Sequence, residues 1–457
     1  MTSFSGRRVL VVGLGVSGYA AAETLLDQGA TVRVTEAGTS AAMEERATAL
    51  RSRGATVELG GHDLGHLGHD LEDIDCDLAV VSPGIPPSSE IITALRSTEV
   101  ELIGEIELAY RLAECDFLAV TGTNGKTTTT ALLAAILAES GIDSMAAGNI
   151  GTPVVEAVKK IGKGGAIALE VSSFQLSTIT TFRPKVAVVL NVAEDHTDWH
   201  GSFEAYAADK ARITENQTAG DVFMPNIEDP IAAKMVKGTR ATTVPFSATR
   251  IPEGGIGVTS GKVMWRDLEI FTTDDSALSG VAGLEDSIAA AGAALEYGVD
   301  PRAVLRAIKS FQPLGHRLEV VAEIDGVTFI NDSKATNPHA TLAAVKGLED
   351  VVLIAGGRAK GIDLTLLKQT VPPVSAVVAI GEAADEVTAA FSPIVPVERA
   401  ASIADAVRIA HGHAVRGGTV LLSPGCASLD MFASYVERGN AFTEAVKDLI
   451  AATQEDD

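Results

Sequence analysis

The stretch Thr121-Gly122-Thr123-Asn124-Gly125-Lys126-Thr127-Thr128 sets glycines, a lysine and threonines in the order that handles phosphate. It follows the apolar run Phe117–Val120 and opens Thr127–Ala138, which reads as a helix. A glycine-rich turn between strand and helix lets backbone N–H groups approach phosphate oxygens. Lys126 would reach the terminal phosphates, and the Thr127 hydroxyl would hold Mg²⁺. The full form of this loop has glycine at position 120, where this chain has Val120. A second glycine motif, Gly13-Leu14-Gly15-Val16-Ser17-Gly18, closes the strand-like Arg8–Gly13. Alone it suggests a dinucleotide, with Glu36 about where a ribose-binding acid would sit. An NAD-binding redox protein is therefore one reading.

Further polar clusters also close apolar runs, which is where an α/β protein places its sites. Ala166–Glu170 leads into Glu170-Val171-Ser172-Ser173-Phe174-Gln175. Glu170 could hold Mg²⁺, a hard cation that prefers oxygen. The plainer alternative is a helix capped by Ser172 or Ser173, with Glu170 solvated. Lys185–Leu190 leads into Asn191-Val192-Ala193-Glu194-Asp195-His196. Lys210 follows in Tyr206-Ala207-Ala208-Asp209-Lys210, where an exposed helix lysine is the default. Farther on come His316-Arg317, Asn331-Asp332-Ser333-Lys334-Ala335-Thr336-Asn337-Pro338, Gly356-Gly357-Arg358-Ala359-Lys360-Gly361 and Leu422–Asp430.

Alternating strand and helix must position these groups, which implies parallel sheets. Runs at Thr31–Thr35 and Asp77–Val81 continue the first sheet, and the pattern changes near Ile103–Glu107. Glycine-rich alternation over Gly255–Phe271 predicts β-hairpins, and the Ala-rich Asp286–Tyr297 predicts a helix. A last alternating segment begins near Leu314. The expected α/β architecture has three domains: a Rossmann-like 1–104, a central phosphate-loop ATPase domain 105–313 and a Rossmann-like C-terminal 314–457.

The 457 residues carry a formal charge of −24, which argues against nucleic acid as a general partner. No apolar run is long enough to span a bilayer, and no apolar leader opens the chain. Cys76, Cys115 and Cys426 lack metal spacing and read as reduced thiols, so a cytoplasmic protein is expected.

Taken together, the loop Gly122–Thr128, Gly148-Asn149-Ile150-Gly151, Ser172–Leu176, Asn191–His196 and Asn331–Asn337 resemble the Mur ligase family, which includes folylpolyglutamate synthases. The resemblance runs nearly end to end and is nearest the branch that adds D-glutamate. It implies amide formation with ATP and two Mg²⁺ ions, through an acyl phosphate, in peptidoglycan precursor synthesis. The implied substrates are UDP-N-acetylmuramoyl-L-alanine and D-glutamate, handled by a monomer. Another amide ligase of the family is the alternative.

Residue by residue, the resemblance places Gly122, Thr123, Asn124, Gly125, Lys126, Thr127, Thr128 and Arg317 at ATP, with Asp332 near its ribose. Thr127 and Glu170 would hold one Mg²⁺; His196 and a carbamylated Lys210 would hold the other. Gly15, Val16, Ser17, Glu36 and Gly84 would lie at the uridine nucleotide, and Asn149 at the acceptor. Lys334, Thr336, Lys360, Ser428, Leu429 and Tyr435 would surround D-glutamate. Lys126, His196, Lys210 and Asp195 would carry the catalysis, with Asp195 or His196 taking the amine proton. The chain departs from the family at Leu284-Glu285-Asp286-Ser287-Ile288, where an adenine-contacting asparagine is expected. It departs again at Glu36-Ala37-Gly38 and at Tyr435, which replaces a phenylalanine.

Overall fold

The computed structural model describes residues 4–62, 76–278, 280–312, 315–359 and 361–455. Its first sheet joins β1 (Arg8–Val12), β2 (Thr31–Glu36), β3 (Thr56–Leu59), β4 (Leu78–Val81) and β5 (Glu101–Gly104). All pairings are parallel, in the order β3-β2-β1-β4-β5. The order reverses beside β1, and such switch points are where open parallel sheets bind ligands. β4 is buried along its whole length and β1 from Val9 onward, which explains their unbroken Val/Leu/Ala composition.

The second sheet joins β6 (Asp116–Thr121), β7 (Ser144–Gly148), β8 (Ala166–Glu170), β9 (Val186–Val189), β10 (Val222–Pro225) and β11 (Thr242–Thr243). Its order, β11-β10-β9-β6-β8-β7, puts β6 between β8 and β9. The loop after β6 is therefore flanked by the loops after β8 and β9, far from it in sequence. A small third sheet holds β12 (Phe246–Ser247), β13 (Ile256–Thr259), β14 (Lys262–Trp265) and β15 (Leu268–Thr272). The last three form the expected antiparallel hairpins.

The fourth sheet holds β16 (Glu319–Ile324), β17 (Val327–Asn331), β18 (Val351–Gly356), β19 (Val374–Ile380), β20 (Val397–Arg399) and β21 (Thr419–Leu422). Its order is β16-β17-β21-β18-β19-β20, parallel except for β16.

Two compact units result: Met1–Val192 with Trp199–Asp275 and Asp286–Ser310, and Ala193–Asp198 with Ser276–Glu285 and Phe311–Asp457. The expected boundary at Pro313 and Leu314 lies outside the described residues. The helix expected at Asp286–Tyr297 in fact spans Gly280–Tyr297. Gly280 and Gly283 read as helix breakers, but local propensity is a weak prior that tertiary context overrides. No helix among the described residues is long and apolar enough to cross a membrane.

Within the first unit, one apolar core runs from Phe4, Val9 and Val11 under the first sheet to Phe117, Ile167 and Phe223 of the second. Its polar centre is Glu107, which is fully buried. The Glu107 carboxylate accepts the N–H groups of Thr180, Thr181 and Phe182, the hydroxyls of Thr180 and Thr181, and Arg111 Nε at 2.9 Å. Burial alone would raise its pKa, but these hydrogen bonds favour the charged form and hold the carboxyl at about 2. A depressed carboxyl stabilises the fold above its ordinary value of 4.5, and that gain is lost as pH falls toward about 2. Glu107→Gln should cost about 3 kcal/mol or more at neutral pH, since it leaves Arg111 and the amides without their anion. Melting curves should show the gap from the parent shrinking below pH 4.5. A gap independent of pH would contradict this account.

Candidate functional site

β6 ends at Thr121, and the helix Lys126–Glu139 starts five residues later. Gly125 joins them at φ 83°, a conformation that favours glycine. A Cβ there would strike the Asp286 carboxylate. Asn191, at the end of the flanking β9, staples the loop. Its Oδ1 accepts the N–H groups of Thr123 at 3.1 Å and Asn124 at 2.8 Å. Lys126 curls back, its Nζ donating to the carbonyls of Gly122 at 2.9 Å and Thr123 at 2.7 Å. Gly122, Thr123 and Thr128 are buried, while Asn124, Gly125, Lys126 and Thr127 are half-buried. The segment is thus a braced ring and not a free surface turn. Asp286, in the stretch where an adenine-binding asparagine was expected, accepts the Thr129 hydroxyl at 3.0 Å.

Glu170 closes β8 at 2 % exposure, so the solvated alternative does not hold. Ser172 does cap the short helix Ser173–Leu176, in a reciprocal box with Gln175. Glu170 Oε1 accepts Asn149 Nδ2 at 2.8 Å, but Oε2 is buried without a hydrogen-bond partner. An unsatisfied buried acceptor costs about 1–3 kcal/mol. A hard cation would satisfy it. Among the described residues no group of three or more His, Cys, Asp or Glu forms a metal cluster. Mg²⁺ needs none, because it keeps several waters and takes one or two carboxylates plus substrate phosphates. The residues present therefore fit that ion.

Lys210 is not an exposed helix lysine. It is 1 % exposed, and its Nζ donates to the Gly122 carbonyl at 2.7 Å and lies 4.5 Å from the Tyr206 ring centroid. The Tyr206 hydroxyl is 3.0 Å from Thr123 Oγ1, so the helix Phe203–Ala211 grips the phosphate loop twice. A further chain of contacts, absent from the sequence reading, braces the same helix. His200 Nδ1 lies 2.8 Å from Asp209 Oδ2, and His200 Nε2 lies 2.9 Å from Ser173 Oγ. The carboxylate accepts from Nδ1–H, and Nε2 shares a hydrogen bond with the Ser173 hydroxyl. This ties the Glu170 strand end to the Lys210 helix. No residue spacing signalled it, because His200 precedes Asp209 by 9 positions and follows Ser173 by 27.

In the first sheet, Gly15 caps the helix Val16–Asp27 without a side-chain bond. Val16 is 58 % exposed, Ser17 is half-buried and Gly84 is exposed. Glu36 turns inward: its carboxylate accepts Leu14 N–H at 2.6 Å and Gly38 N–H at 2.8 Å. These residues lie at or just beyond the carboxyl ends of β1, β2 and β4.

In the second unit, Asp332 just beyond β17 accepts the Ser423 hydroxyl at 2.8 Å. Burial pushes the Asp332 carboxyl up to about 7, against the pull of Ser423, Leu318 N–H and Arg317. His316 and Leu318, on either side of Arg317, have φ 62° and 46°, a backbone strain that tends to collect at functional sites. Lys334 Nζ lies 4.0 Å from the Tyr435 ring centroid, a cation–π pair. Thr336 and Tyr435 are half-buried, Ser428 is buried and Leu429 is exposed. Lys360 lies outside the described residues. Asp195, 6 % exposed, accepts the His196 N–H at 3.0 Å and Asn337 Nδ2 at 3.3 Å. His196 itself has φ 53°.

Three family models match successive stretches of the chain. They are the MurD-like N-terminal domain over residues 7–104, the Mur ligase middle domain over 120–280 and the Mur ligase glutamate ligase domain over 316–426. The chain belongs to the Mur ligase family. A Frankia casuarinae relative named UDP-N-acetylmuramoylalanine–D-glutamate ligase is 43% identical, over 97% of this chain and 95% of its own. A relative of the same name from Pelotomaculum thermopropionicum is 39% identical, over 98% and 99%. Among solved structures, a pseudomurein peptide ligase type C from Methanothermus fervidus aligns with a TM-score of 0.61 at 18% identity, covering 97% of this chain and 100% of its own. The UDP-N-acetylmuramate-alanine ligase of Thermotoga maritima aligns at 0.58 and 17%, covering 97% and 99%. At such identities the likeness speaks for the Mur ligase fold alone. The Gly13–Gly18 motif thus belongs to the first domain of a Mur ligase and not to a redox dinucleotide-binding protein.

Proposed function

We propose that this Mur ligase uses ATP to join D-glutamate to UDP-N-acetylmuramoyl-L-alanine, a step in peptidoglycan precursor synthesis. The observation that carries the reading is its near full-length likeness to relatives bearing that activity as their name. The phosphate-loop amides and Lys126 bind the nucleotide phosphates, with Arg317 adding a cation and Asp332 lying near the ribose. Gly122 to Thr128 form the cradle. Gly15, Val16, Ser17, Glu36 and Gly84 meet the uridine nucleotide, and Asn149 meets the muramoyl-L-alanine end.

Glu170 and the Thr127 hydroxyl would hold one Mg²⁺, and His196 with a carbamylated Lys210 would hold a second. When bound, the ions offset repulsion between two anionic reactants and stabilise charge on the phosphoryl group in transit. The γ-phosphoryl passes to the L-alanine carboxylate, giving an acyl phosphate. The D-glutamate nitrogen then forms the amide bond as phosphate leaves. Asp195 takes the amine proton, since a His196 engaged with metal has no free lone pair there. Lys334, Lys360, Thr336, Ser428, Leu429 and Tyr435 surround the amino acid.

The test is ATP-dependent phosphate release with UDP-N-acetylmuramoyl-L-alanine and D-glutamate, L-glutamate or D-glutamine in turn. D-Glutamine leaves a cation without its carboxylate, a loss of about 2–5 kcal/mol. D-Glutamate should therefore exceed D-glutamine by at least about thirtyfold in kcat/KM. Comparable rates would point to a different amino acid and overturn the reading.

A further inference from the structure

Arg438, in the helix Tyr435–Glu455, is 1 % exposed and forms no ion pair with any carboxylate among the described residues. Its guanidinium is held by neutral acceptors alone. Nε donates to Ser333 Oγ at 3.0 Å, Nη2 to the Ser333 carbonyl at 2.7 Å and Nη1 to the Cys426 carbonyl at 3.1 Å. Ser333 Oγ in turn donates to the Tyr435 carbonyl at 2.8 Å. Asn331 Nδ2 donates to the Gly439 carbonyl at 2.9 Å.

Two strand-end loops thus meet on one cation: Asn331–Asn337 after β17, and Ser423–Asp430 after β21. The loop after β18 joins them through paired backbone bonds between Arg358 and Ala427, at 2.8 and 3.0 Å. Asp332 and Asp430 favour its charge without pairing with it, so hydrogen bonds and not a salt bridge hold the guanidinium in place. Burial lowers the Arg438 pKa only to about 10, so the charge persists at neutral pH.

We infer that Arg438 is a positioning residue for the amino-acid substrate. It locks the loops carrying Lys334, Thr336 and Ser428 into one pose through its three donated hydrogen bonds. Lysine could supply the charge but not three hydrogen bonds in a fixed fork. The inference rests on the proposed function, because it takes glutamate as the ligand of these loops.

The experiment compares the full-length parent with Arg438→Met, Arg438→Lys and Ser333→Ala. It measures KM for D-glutamate and for ATP separately, and the melting shift that each ligand produces. Arg438→Met should raise KM for D-glutamate by about tenfold or more and abolish the D-glutamate melting shift. KM for ATP should stay within about twofold. Arg438→Lys should fall between, and Ser333→Ala should move the same way by less. Equal rises in both KM values, or a loss of kcat with both KM values unchanged, would mark a merely structural arginine and overturn the inference. If Arg438→Met does not fold, an unchanged D-glutamate KM in both other variants overturns it. A parent that uses D-glutamate alongside unaffected variants defeats only this inference. A parent that does not use D-glutamate defeats the proposed function as well.

Discussion

Lys126→Ala is expected to lower kcat by about a hundredfold or more, as removal of a preorganised electrostatic donor does elsewhere. Under the proposed function, Lys126 is the cation that meets the nucleotide phosphates. Its Nζ rests on the Gly122 and Thr123 carbonyls. Those two contacts also brace the loop, so a modest fall in melting temperature should accompany the kinetic loss. The burial of Gly122, Thr123 and Thr128 makes the loop part of the packed structure, which is why a stability cost is expected. The check is single-turnover phosphoryl transfer in a variant shown to be folded. Near-normal turnover would remove the assignment.

The second large effect is expected at Lys210. Lys210→Ala should reduce turnover by about a hundredfold or more, and acetate or formate should restore part of it by offering carboxylate oxygens in place of a carbamate. Lys210→Arg keeps a cation but cannot be carbamylated, so it should be as poor as alanine and should not respond to added acid. The side chain is fully enclosed beside Tyr206, so any activity of the arginine variant would have to accommodate a larger group. Full activity in Lys210→Arg would exclude carbamylation. Mass spectrometry under CO₂-rich conditions, seeking the added mass, gives a readout independent of turnover.

What could be read in advance follows from distance along the chain. The phosphate loop, the strand ends at Glu170 and Asn331 and the hairpins of Gly255–Phe271 are local patterns, and short-range chemistry exposes them. In the sequence Asn191 reads only as the start of the polar cluster Asn191–His196. Its grip on Thr123 and Asn124 depends on β9 lying beside β6, a non-sequential neighbour that no local pattern reveals. Glu107 reads as one acid in the helix Glu105–Leu112, yet it collects the amides of residues some 75 positions away. His200 and Arg438 escaped notice for the same reason. Each is an ordinary surface residue type, buried only because partners from distant segments close over it.

The core shared by the first two sheets bears on how such a chain can diversify. A segment folded around its own interior can be exchanged wholesale between relatives. The first hundred or so residues here share their interior with the second sheet, Phe4, Val9 and Val11 falling in one cluster with Phe117, Ile167 and Phe223, and Arg111 bonds both Glu101 of β5 and Thr180. Transplanting that segment would bring mismatched halves of one packed interior together, at a cost that grows with every displaced methyl group. If Val16 and Gly84 meet the uridine nucleotide as proposed, new preferences should arise by point changes at such exposed positions, which the shared interior does not constrain.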